Sequence, residues 1–134
     1  ISASSFAGEK LIPMEDVSIP ASLVTDYQHA NSRDNKVSVS LVTVFRGSAA
    51  GIFTTIITFA DSLEDTSFSF EFNRLLDRPK NVVIRKVSTN VYTMRFDTVE
   101  SIYNNGTGEF SSRNKRIRLR VIKNNNGNYL VEPI

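Results

Sequence analysis

The chain has 134 residues, 40 % of them hydrophobic and 22 % charged, with nine Phe, four Tyr and no Cys; this fits one folded domain with a sizeable core and excludes a disordered chain, disulfides, thiolate metal sites and cysteine nucleophiles. No stretch approaches the roughly 18 consecutive apolar residues of a membrane-spanning helix. The formal charge of +2 conceals two opposed halves, ten acidic against five basic side chains in residues 1–77 and four against eleven in residues 78–134, and a surplus of that kind attracts an oppositely charged partner.

The first 36 residues have no sustained periodicity and contain Pro13 and Pro20, which predicts an N-terminal arm over 1–36. Within it Ala21, Leu23, Val24, Tyr27, His29 and Ala30 fall at a loose helical spacing, so a short helix is expected over 20–31. Because the chain begins at Ile1 rather than Met, a processed product or a portion of a longer protein is expected.

From Lys36 the period becomes two. Val37, Val39, Leu41, Thr43 and Phe45 share one face of a strand, and the β-branched, two-sided apolar run 51–60 reads as a central strand, with a buried helix as the rival. Phe68, Phe70 and Phe72 alternate with polar residues, and Asp77-Arg78-Pro79 breaks that pattern. Strands are then expected over 81–87, around Tyr92, Met94 and Phe96, over 110–123 and over 129–131, separated by turns at Thr89-Asn90, 104–108 and 124–127. The triplet Asn105-Gly106-Thr107 matches a glycosylation acceptor, but it reads more simply as an Asn-Gly turn. The sum is an all-β domain over 37–134, an antiparallel sandwich or small barrel of about seven strands with an N-terminal arm or short helix. The alternative is an α+β roll with one helix on a curved antiparallel sheet.

Few residues here carry chemistry. The one histidine, His29, cannot build a zinc site, no Ser lies in a Gly-x-Ser-x-Gly turn, and the glycines form no phosphate loop or dinucleotide fingerprint. Asp61, Glu64 and Asp65 share a loop without the spacing of a calcium site, and Asp97 with Glu100 is the one carboxylate pair in the basic half that a glycosidase reading could use. No catalytic residue, metal or cofactor is therefore expected.

What remains is the segment Lys115-Arg116-Ile117-Arg118-Leu119-Arg120-Val121, in which basic and apolar residues alternate. With Ile117, Leu119 and Val121 in the core, Arg116, Arg118 and Arg120 project together, roughly 6.5–7 Å apart. Arg113, Lys115 and Lys123 are expected to extend this anion- or partner-binding patch, with Arg85 and Arg95 joining it if their strands are neighbours. Tyr92, Tyr103, Phe110 and Tyr129 are the aromatic residues within range for base stacking. A solvated edge or internal pairing with the acidic half would explain the same charges. The expected function is a noncatalytic binding or assembly module, a structural subunit of a virus or phage particle or of a surface or secretion assembly. Its partners would be other protein subunits, in a homo-oligomer or a larger complex, in an extracytoplasmic or particle setting. Nucleic-acid binding through residues 113–123 is the alternative, and a small sugar- or ligand-binding module a further one.

Overall fold

The computed structural model describes residues 11–14, 19–47, 52–61, 66–124 and 128–134. Two antiparallel sheets face each other as an open sandwich, with no closed barrel. The first contains β1 (Leu11–Met14), β2 (Val24–Asn31), β3 (Val37–Phe45), β4 (Phe53–Asp61) and β5 (Thr66–Phe72), in the order β1-β5-β4-β3-β2. The second is a meander of β6 (Leu75–Ser88), β7 (Val91–Asn104), β8 (Glu109–Lys123) and β9 (Tyr129–Pro133). Asn73 and Arg74 carry the chain from one sheet to the other.

Period-two patterning explains the core directly, because alternate side chains leave opposite faces of a strand. Val37, Val39, Leu41, Ile57, Phe59, Phe70 and Phe72 fill the inner face of the first sheet. Tyr92, Met94, Phe96, Ile117, Leu119, Val121, Tyr129 and Val131 fill that of the second. The layers meet through aromatic rings, with Phe59 at 6.1 Å from Tyr129 and Phe72 at 5.7 Å from Phe96, centroid to centroid.

The helix expected over 20–31 is not formed. One 3-10 turn, Ala21–Leu23, leads straight into β2, whose residues alternate between half-buried and exposed. Val24 and Thr25 are β-branched, and the segment offers only a weak apolar stripe. Pairing with the open edge of β3 satisfies its backbone better than an isolated short helix would. The segment expected as an arm thus supplies two edge strands, β1 beside β5 and β2 beside β3. The run beginning at Phe53 is a strand, as its β-branched content predicts.

Asp77-Arg78-Pro79 does not end a strand either; it is a bulge inside β6. The β6–β7 register slips by one residue between Asp77 and Lys80 and again between Lys80 and Val83. Arg78 (φ 50°) and Asn81 (φ 55°) take the left-handed conformation that such insertions require. Thr98 Oγ1 donates to the Asp77 carbonyl at 2.7 Å and braces the first bulge from the neighbouring strand.

Candidate anion-binding face

Parity along β8 divides the expected basic patch between two faces. Arg116, Arg118 and Arg120 project outward. Arg113, Lys115 and Lys123 belong to the same side as Ile117, Leu119 and Val121, and they lie at the two ends of the sandwich interior rather than extending the outer stripe. Arg113 and Arg74 each place a guanidinium nitrogen 2.7 Å from the Glu100 carboxylate, with Lys115 Nζ at 3.9 Å. Glu100 is 2 % exposed. Burial alone would raise its pKa, but the hydrogen bonds from Arg74 and Arg113 overcome that and hold it below the ordinary carboxylate range. At the other end Lys123 forms an ion pair with the buried Asp61, tying β8 to β4 across the layers.

Two of the outward arginines are also engaged. Arg116 Nε donates to Asp97 Oδ1 at 2.8 Å and Asn81 Nδ2 donates to Oδ2 at 3.0 Å, holding the Asp97 carboxyl at about 2. Arg120 lies 3.5 Å from Glu132 on β9. Arg118 remains. The register sets it directly opposite Arg95 on β7, and Arg85 follows on β6, opposite Thr93 and so one same-face position further along. Arg85, Arg95 and Arg118 have no carboxylate partner among the described residues.

These three arginines line a shallow depression of about 330 Å³ together with the same-face residues Val83 and Thr93 and with Ile134. Like charges placed directly across a strand pair repel by up to about 1 kcal/mol, so the Arg95–Arg118 pair stores a penalty that an anion between them would relieve. The stripe legible along β8 is therefore interrupted, and the cations without a carboxylate run across three strands instead. Sequence alone brings Arg85 and Arg95 to this patch only on the condition that their strands adjoin β8. The cross-strand register that makes Arg95 face Arg118 has no signature in either strand alone.

The aromatic candidates divide as well. Tyr92 and Tyr129 are core residues at 2 % and 0 % exposure. Tyr103 and Phe110 are exposed and pack against each other at 5.1 Å near the far end of the β7–β8 hairpin.

The other candidates do not assemble. Asp97 and Glu100 leave opposite faces of β7 and share no cleft. Glu64 and Asp65 lie outside the described residues, and no group of three metal-ligating side chains occurs among the described ones. His29 sits on the exposed face of β2, with Nδ1 3.0 Å from Ser40 Oγ and Nε2 3.2 Å from Asn31 Oδ1. A serine, a histidine and an amide in a row are the residue types of a hydrolytic triad, but Ser40 lies mid-strand in β3, between β2 and β4. The ladders occupy the amides around it, which leaves no backbone donors for an oxyanion. Comparison with protein-family models, with curated proteins and with solved structures finds no significant match.

Proposed function

We propose that the protein is a noncatalytic binding module, a structural subunit of a larger assembly such as a virus or phage particle or a surface or secretion complex. It would dock the outer face of its second sheet on an acidic surface of a protein partner. The observation that carries this reading is the set of three arginines, Arg85, Arg95 and Arg118, that surround one depression without a carboxylate partner among the described residues.

The balance of charge supports an anion from outside the sandwich. Residues 78–134 carry eleven basic against four acidic side chains, and even with the ten acidic and five basic side chains of residues 1–77 the chain keeps a net charge of +2. A compact patch also suits a local cluster of carboxylates better than a long polyanion, because Asp97 and Glu132 interrupt the track along β8.

The test is binding of a fluorescent polyglutamate peptide and of a single-stranded oligonucleotide of equal charge, at about 50 mM and about 500 mM salt. Polyglutamate is expected to bind at low salt, and the triple variant R85Q/R95Q/R118Q to lose at least tenfold in affinity. Tighter binding of the oligonucleotide, with a log–log salt slope of roughly −0.7 per phosphate over several phosphates, would give the site to nucleic acid. Absence of binding to either probe would remove the reading altogether.

A further inference from the structure

We infer that the occupant of the arginine-rimmed depression is the β7–β8 hairpin tip of a second copy of this chain, a reading that rests on the docking face just proposed. Of the five acidic residues in the second sheet, Asp77, Asp97, Glu100 and Glu132 are each held by a cation, whereas Glu109 has no basic partner among the described residues. Of the four second-sheet cations without an ion pair among the described residues, Lys80, Arg85, Arg95 and Arg118, three sit at the depression, and the one acid left over sits at the tip. Apolar surface is matched in the same way. Tyr103 and Phe110, 50 % and 39 % exposed, crown the tip, while Val83 and Ile134 line the depression beside guanidinium groups that can cover aromatic faces.

One molecule cannot make this contact with itself. Phe110 and Arg118 are eight positions apart on a strand paired continuously with β7, a separation of roughly 26 Å. Tyr103 and Phe110 have the same parity as Arg95 and Arg118, while Glu109 leaves the ribbon on the opposite side. An end-on approach of the hairpin is therefore the geometry that brings aromatic pair and carboxylate to the rim together. Tip and depression are different surfaces, so the contact either repeats head to tail into a ring or filament or is made twice, reciprocally, in a two-fold dimer.

Two variants separate this arrangement from general stickiness. E109Q/F110S disables the tip and keeps the depression; R95E/R118E does the reverse. Light scattering at about 50 mM salt is expected to show wild-type mass rising with concentration and each variant alone as a monomer. An equimolar mixture should give a 1:1 dimer of about twice the monomer mass that grows no further, because only one competent tip and one competent depression remain. Thermal melts of both variants check that the sandwich still folds; should R95E/R118E melt early, R95Q/R118Q takes its place. A wild-type monomer at every concentration, variants that assemble like wild type, or a mixture that stays monomeric would each overturn the inference. A monomer that still binds polyglutamate through Arg95 and Arg118 would overturn self-docking while leaving the anion-binding face standing; loss of both would remove the two together.

Discussion

Three residues show how this chain holds its layers together and where it tolerates imperfection. Asp61 is 2 % exposed and pairs with Lys123 from the opposite sheet, whose side chain is 16 % exposed. Asp61→Ala would leave an ammonium nearly buried without its anion, so a loss of about 3 kcal/mol is expected in urea unfolding; a loss below about 1 kcal/mol would mean that water already shares the pair. Thr43 presents the opposite case. Its hydroxyl is buried with no hydrogen-bond partner among the described residues. Thr43→Val keeps the shape and β-branching while removing an unsatisfied oxygen, so stability should rise by about 0.5–1 kcal/mol. A fall would show that the hydroxyl is satisfied by water.

At the scale of elements, β6 and the β7–β8 hairpin are where sequence patterning and structure diverge. The alternation of Phe68, Phe70 and Phe72, of Tyr92, Met94 and Phe96, and of Ile117, Leu119 and Val121 makes the core strands readable, because burial of one face is written into residue type. β2 is not readable, since its even-numbered residues Asp26, Gln28 and Ala30 carry little hydrophobic signal and only the edge of β3 makes them a strand. The bulges in β6 are equally hidden: Pro79 reads as a terminator, whereas the strand absorbs it beside Arg78 in a left-handed conformation. Arginine has a Cβ that disfavours that region, so Arg78→Gly should stabilise the bulge or leave it unchanged within about 1 kcal/mol. A loss larger than that would assign the Arg78–Asp77 ion pair at 3.4 Å more weight than an exposed pair normally has. The hairpin behaves differently. β6 pairs with β7 as far as Ser101, and β9 covers β8 only from Leu119, so the ribbon beyond Ser101 and Ser112 stands alone. Amides over 102–111 should exchange at least roughly a hundredfold faster than those of Tyr92 to Phe96 in dilute protein. Equal protection would mean that the tip is covered even in the isolated molecule.

For the whole molecule, the ionisable groups that join elements define the pH range in which the sandwich persists. Asp34, in the β2–β3 turn, is held at about 2, first by the Ser32 hydroxyl and then by the Lys36 amide, the Tyr92 hydroxyl and Lys86, which together outweigh its partial burial. Asp97 is held at about 2 and Glu100 below its ordinary value by the cations described above. Each of these carboxyls binds a proton more readily in the unfolded chain, where the ordinary values lie near 4. The stability they lend is therefore complete above about pH 5 and drains away as pH falls through 4 towards 2. Tyr92 works in the other direction: burial first, then the neighbouring Asp34 carboxylate, raises its phenol to about 12. Folding retains that proton between about pH 10, the unfolded value, and 12, so its contribution is full below 10 and disappears as pH climbs through 12. A plot of Tm against pH should thus be flat through neutrality and fall on both sides. Asp34→Asn should flatten part of the acid limb, by removing a carboxyl whose protonation opposes folding, and soften the alkaline limb, by removing the charge beside Tyr92. Both limbs unchanged in that variant would mean that the β2–β3 turn does not hold the two sheets together, and that the acid limb is carried by Asp97 and Glu100 alone.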